Sequence, residues 1–348
     1  MLFVRVNIGI TMTTPSLPRF TSEADFLNTM ASSIDTFWHR RDHGFFIGKD
    51  GLRIHWCAMT KPAHEKAIIV LNGRIESTAK YRELLFDLYQ QGYDVYSLDH
   101  RGQGHSDRLL LTPDAGHVVQ FDDYIDDVDT FINLIVSAKV HQSRFILGHS
   151  MGGAIATLYA ARRPKQIDAI ALSAPMFGIQ IPAPMCWIAH PAAWLHSKFH
   201  HPATFAIGQV PYTNKSFTDN LLTHSEVRYH WFRELYDMDE SLQVGGPTSR
   251  WVWQSLDACR RCQPAAEEVT QPLLILQAMS DAIVSHEAIT RFVTRRRNAG
   301  FQVELLPMAG SRHEILFEVD PIRQHALSAI LDFFEANSRS VDKKREIS

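Results

Sequence analysis

Cysteine is scarce in this chain: 348 residues carry four, Cys57, Cys186, Cys259 and Cys262, too few and too scattered for a disulfide framework. That usage fits a reducing compartment. Cys259 and Cys262 have redox or zinc spacing, but no second pair accompanies them and the stretch has a helical pattern, so both are expected on a helix face. No apolar run approaches the roughly 18 residues that cross a bilayer, so no transmembrane segment is expected. The first twenty residues interrupt their apolar stretch with Arg5 and continue into Pro15 and Pro18, which makes a poor secretory signal. An excess of one charge is missing as well. With 35 Lys and Arg against 38 Asp and Glu, the net charge of -3 gives no long-range pull toward nucleic acid. The basic clusters at 295–297 and 343–345 read as a helix end and a solvated tail. His286-Glu287 and His313-Glu314 lack the second histidine of H-E-x-x-H, and Asp107 stands where the third glycine of a dinucleotide loop would follow Gly102 and Gly104. Neither a metal nor a cofactor is expected to take part in the chemistry.

What is present is a hydrophobic share of 45%, enough for one large core plus an insertion. Short apolar runs alternate with helical periodicity, the signature of a mostly parallel sheet covered by helices. Strands are predicted at 67–71, 94–98, 144–148, 167–172, 272–277 and 301–306, with a hairpin turning at Asp50-Gly51 on an antiparallel edge. Helices are predicted near 79–91, from 121 to 135 with its acidic residues on the wet face, after Ser150, up to 299, and over 321–335. Between 176 and 264 the alternation gives way to prolines, tryptophans and histidines, including Pro182, Pro184 and Pro191. The expected organisation is an N-terminal extension (1–34), an α/β core (35–175 and 265–338), an inserted helical cap (176–264) and a tail (339–348).

Gly148-His149-Ser150-Met151-Gly152-Gly153 follows one such strand directly and precedes a helical run. A serine on a sharp strand-to-helix turn is a nucleophile elbow, and the residues two before and two after must be small for the backbones to pass. Gly148 and Gly152 meet that demand. The helix N-terminus then directs free N–H groups toward an oxygen that becomes negative during acyl transfer.

A serine nucleophile needs a base to take its proton and an acid to hold that base, and in elbow folds the order is serine, acid, histidine. Asp281 follows the 272–277 strand and His313 follows the 301–306 strand, so Ser150, Asp281 and His313 are expected at one edge of the sheet. His100, His149 and His224 are rivals for the base; His149 is held in the elbow and His100 precedes the position where a base should arise. The N–H of Met151 and that of Arg74, in the loop after 67–71, are the expected oxyanion donors. The side chain of Arg74 reads as a surface group. The 99–107 loop reads as a tight turn that braces the elbow.

Together these segments look like the alpha/beta hydrolase superfamily. Leu98-Asp99-His100-Arg101-Gly102-Gln103-Gly104-His105-Ser106 and the elbow resemble its monoacylglycerol lipase and lysophospholipase branch. Asn72-Gly73-Arg74-Ile75-Glu76-Ser77, Leu222-Thr223-His224, Gly245-Gly246-Pro247-Thr248 and His313-Glu314-Ile315-Leu316-Phe317-Glu318 narrow the resemblance to bacterial lysophospholipases, over about residues 35–337. The resemblance implies hydrolysis of the acyl ester of a lysophospholipid through an acyl-enzyme, with Ser150, Asp281 and His313 as triad and Arg74 and Met151 as oxyanion donors. It also implies a cytoplasmic protein in peripheral association with the inner membrane. A monoacylglycerol lipase or general carboxylesterase is the alternative, and a non-catalytic binding scaffold sits poorly with an intact Ser-Asp-His set. Monoacylglycerol lipases have His-Gly-x-Gly-Glu where this chain has Asn72 and Ile75, so their alcohol contacts are not carried over.

The 176–199 stretch is apolar, with Lys198 its one charged side chain when histidines are neutral. It is expected either to line an acyl pocket, with Trp187 and Trp194 against the substrate, or to rest on a lipid surface; plain packing of a cap helix on the core is the third reading.

Overall fold

In the computed structural model, which describes residues 19–181, 187–200 and 205–339, the six predicted strands and the hairpin join in one sheet. Its strands are β1 (Asp42–Ile47), β2 (Arg53–Met59), β3 (Lys66–Leu71), β4 (Tyr93–Leu98), β5 (Ser143–His149), β6 (Ala169–Ser173), β7 (Leu273–Ala278) and β8 (Glu304–Met308), in the order β1-β2-β4-β3-β5-β6-β7-β8. The first three in that order pair antiparallel and all later neighbours pair parallel. Parallel central strands are covered on both faces, which is why β3, β5 and β6 are continuous apolar runs without alternation. The hairpin turns where predicted, with Asp50 at φ 59° and Gly51 at φ 79°, the twist that a tight hairpin requires. The expected strand at 301–306 begins only at Glu304 and runs to Met308.

Ahead of the sheet, α1 (Phe26–Thr29) and α2 (Asp35–His39) flank a π-helical turn at Met30–Ile34. Phe26, Met30 and Ile34 are buried against Phe86, Val227 and Trp231, so this part of the expected N-terminal extension is docked. Helices α3 (Arg82–Gln90), α4 (Asp122–Leu134) and α5 (Met151–Arg162) follow. α3 starts later than expected because 74–81 form turns around Glu76. α4 buries Ile125, Val128, Phe131 and Ile132 as its periodicity implies, yet not all its acids are wet. Asp123 and Asp127 are buried, and Asp127 takes Arg101 of the 99–107 loop in a two-pronged bond of 2.7 and 2.8 Å. α5 is buried on every side from Met151 to Ala160, in keeping with a run that has no polar face.

The 176–264 segment contains α6 (Ala189–Phe199), α7 (Glu226–Met238) and α8 (Ser249–Ala265). Cys259 and Cys262 lie buried on α8 as free thiols. Two elements close the fold, α9 (His286–Asn298) and α10 (Asp320–Ala336), the latter packing on β6 and β7. Arg228 of α7 anchors the 176–264 segment: it donates to Glu83 of α3 at 2.9 Å and to Asp320 of α10 at 2.9 Å. The expected breaks at Pro182 and Pro184, the first eighteen residues and the last nine lie outside the described residues.

Candidate active site

Because β5, β7 and β8 run parallel, their C-terminal ends share one edge, and each is followed by one of the three expected residues. At the end of β5 the backbone reverses sharply: Ser150 has φ 51° and ψ -115°, a conformation that costs a β-carbon residue about 1–3 kcal/mol. Neighbouring hydrogen bonds hold it there, from Ser150 N–H to Ser173 O at 3.0 Å and from Met176 N–H to Ser150 O at 3.0 Å. The glycine requirement is geometric. A Cβ on Gly148 would stand 2.8 Å from Gly152 O, and one on Gly152 would stand 2.1 Å from Leu71 O.

His313 joins the other two. Its Nδ1 lies 2.7 Å from Asp281 Oδ2 and its Nε2 lies 2.9 Å from Ser150 Oγ. With Nδ1–H donating to the carboxylate, Nε2 is the free acceptor and the serine hydroxyl donates to it. Burial works against the Asp281 carboxylate, but His313 and the N–H groups of Ile283 and Val284 outweigh it and hold Asp281 below the usual carboxylate range. This arrangement can take a proton from Ser150 while balancing the imidazolium that results. The rivals lie away from Ser150 Oγ. His149 faces Ser173 O at 3.1 Å, His224 faces Glu318 Oε1 at 2.9 Å, and His100 is wholly buried in the core.

The contact between Gly152 and the end of β3 sets the start of α5 beside the loop that carries Arg74. Among the described residues, no protein acceptor takes the N–H of Met151 or of Arg74, which leaves both available to an oxyanion. Arg74's side chain is not a bystander: it donates to Gly245 O at 2.6 Å and lies over the Trp251 ring at 4.8 Å, both in the 176–264 segment. The 99–107 loop braces the loop that carries Arg74. Gln103 Nε2 donates to Gly73 O at 2.8 Å and to Glu76 O at 2.9 Å.

One buried cluster was not anticipated. Lys80 donates to Glu76 Oε1 at 2.7 Å and to Glu314 Oε1 at 2.6 Å, and Tyr81 OH donates to Glu76 Oε2 at 2.7 Å. It ties the loop that carries Arg74, through the Gly73 N–H that Glu76 accepts, to the residue after His313. Burial alone would raise Glu76, but Lys80 and His149 hold it down, whereas burial keeps Glu314 raised despite Lys80. Glu76 and Lys80 are four apart in sequence; nothing local signals their partner 234 positions on. Trp187 and Trp194 are exposed, at 88% and 42%.

The chain is 40% identical to lysophospholipase L2 of Escherichia coli K12 over 94% of its own length and 97% of that protein's. A probable lysophospholipase L2 of Haemophilus influenzae is 31% identical over 84% of this chain and 92% of the relative. In three dimensions it matches a soluble variant of the monoglyceride lipase of Saccharomyces cerevisiae with a TM-score of 0.67 at 18% identity, covering 86% of this chain and 96% of the other. That likeness establishes the alpha/beta hydrolase fold. The family model described as serine aminopeptidase, S33, matches residues 62–320, and this chain belongs to that family of alpha/beta hydrolases.

Proposed function

We propose that this protein is a serine hydrolase that cleaves the acyl ester of lysophospholipids and releases a fatty acid. The observation that carries the chemistry is His313 set between Asp281 and Ser150 at 2.7 and 2.9 Å. In this reading Ser150 Oγ attacks the ester carbonyl as its proton passes to His313 Nε2, and the N–H groups of Met151 and Arg74 receive the developing oxyanion. The protonated imidazole then gives its proton to the departing alcohol. Water, activated by His313 in turn, attacks the acyl-enzyme, and the fatty acid leaves with Ser150 restored. The lysophospholipase names of the 40% and 31% identical relatives support the substrate class.

In the same reading the core comprises 35–175 and 265–338, with 176–264 as its cap. The exposed Trp187, Ile188, Leu195 and Phe199 support peripheral contact of that cap with a lipid surface, as at an inner membrane seen from the cytoplasm. Among the described residues no helix is long and apolar enough to cross a membrane. Fatty-acid release from a panel of lysophospholipids, monoacylglycerols, diacyl phospholipids and short p-nitrophenyl esters tests the proposal. The expected ranking puts lysophospholipids first. Faster turnover of monoacylglycerols would move the assignment to a monoacylglycerol lipase, and equal rates on one- and two-chain phospholipids would remove single-chain selection.

A further inference from the structure

Beyond β4 the Asp99–Asp107 loop does more than brace its neighbours, because its Gly104–Asp107 part also lines a cavity of about 770 Å3. His43, His55, His105, Arg108, Tyr212 and Gln243 contribute to its lining. Behind that lining His55 Nδ1 lies 2.9 Å and His105 Nδ1 3.8 Å from the same oxygen of the buried Asp99, Oδ2. The donor atoms of the three residues all fall within 4.8 Å of one another. Ligands around a tetrahedral zinc, each roughly 2.0–2.3 Å from the ion, stand at comparable separations.

We propose that His55, Asp99 and His105 form a binding site for a zinc-type divalent transition metal, separate from the hydrolytic centre, with Asp239 orienting His105. The surroundings are arranged as a metal site requires. His105 Nε2–H donates to Asp239 Oδ2 at 2.9 Å, a bond that fixes the tautomer and leaves the Nδ1 lone pair facing Asp99. A carboxylate behind a ligating histidine is the usual outer partner of zinc. In the metal-free protein the neutral His55 ring donates its Nδ1–H to Asp99; to bind metal at Nδ1 the ring takes the other tautomer, with the proton on Nε2 and no net proton lost.

The ligands are also held in place beforehand. Asp99 Oδ1 accepts the Thr78 N–H at 2.6 Å, and Asp99 Oδ2 accepts the His105 N–H at 2.9 Å. Ser106 Oγ accepts the His55 N–H at 2.9 Å. Gly104, at φ 55°, lies so close that a Cβ there would meet Asp99 Cγ at 2.2 Å. Two imidazoles and one carboxylate favour zinc or its neighbours over magnesium or calcium, which prefer all-oxygen sets. Asp239 follows α7, so the ion would clasp β2, the loop after β4 and the foot of α7. Its effect is on stability, not on the Ser150 chemistry.

Equilibrium zinc binding to the full-length protein, stripped with EDTA and read by competition with a chromophoric chelator, tests this. Expected are one zinc per chain with Kd at about 10 µM or tighter, a visible absorption band with Co2+ substituted, and a higher Tm with zinc. His105→Ala should weaken binding about 100-fold or more and Asp239→Asn about 10-fold, with circular dichroism confirming that each variant is folded. The stacked His196 of α6 and His200 just after it, whose rings are 3.7 Å apart, are the control pair. Replacing both with alanine should leave affinity unchanged. Absence of stoichiometric binding below about 100 µM, or binding lost in the control pair and kept in a folded His105→Ala, overturns the site.

Discussion

Around Ser150 the backbone and the triad side chains are held in place, whereas α6 of the 176–264 segment buries Ala193 alone and leaves Leu195 50% and Phe199 77% exposed, with Trp187 just ahead of it 88% exposed. The elbow stores a strained φ at Ser150 and tolerates no added methyl at Gly148 or Gly152. α6 would accept most substitutions. Proton transfer and oxyanion binding depend on placement to within a few tenths of an ångström, whereas attraction to an apolar surface depends only on the area offered. The same segment contains both kinds of region, because α7 is fastened through Arg228, itself 2% exposed.

The sharpest test of this contrast is Ser150→Ala, expected to lower kcat by about 10³ to 10⁶-fold with the fold intact. Mass spectrometry after a fluorophosphonate probe should find the label on Ser150, and label on another serine would refute the assignment. His313→Ala should cause a loss of similar size; near-full activity would show another base at work. Gly152→Ala comes next, because its new Cβ would strike backbone at Leu71 O and Asn72 O. Several kcal/mol of stability and most activity should vanish together, as denaturant titration and ester turnover would record.

Lys80→Met should destabilise by about 3–5 kcal/mol, since it strands two buried carboxylates, and should slow turnover by loosening the loop that carries Arg74. Unchanged kcat with lowered Tm would confine that cluster to a purely structural role. Acid gives a smaller, graded effect. Burial lowers His100 and His149 from the ordinary 6.5 to about 4. Between those values the unfolded chain binds protons that the folded chain refuses, so stability falls as pH drops through this window. Each histidine accounts for at most about 3 kcal/mol. A Tm that stayed flat from pH 6.5 to 4 would contradict it. The weakest effects belong to α6 and the turn before it: Trp187→Ala and Trp194→Ala should change stability by less than about 0.5 kcal/mol and leave short-ester turnover intact. They should reduce pelleting with lipid vesicles, and undiminished binding in the double variant would show that this surface does not meet lipid.

Much of the site was legible along the chain because its parts are local. The elbow needs six consecutive residues, and Asp281 and His313 each follow an apolar run at a fixed remove. What escaped was set by partners far away. The acids of α4 appeared exposed because periodicity sorts faces by apolar content and cannot foresee Arg101 burying with Asp127. Arg74 read as a surface group until Gly245, 171 residues on, supplied its acceptor.

By itself, then, the sequence determined the strand runs, the elbow with its two indispensable glycines, and the order serine, acid, histidine, since each rests on backbone sterics or short-range spacing. Tertiary structure alone decided which buried charges meet: Lys80 with Glu314, and Arg228 with Glu83 and Asp320. A buried charge must find a compensating partner wherever the folded chain brings one within reach, and no local pattern of residues records which distant segment that will be.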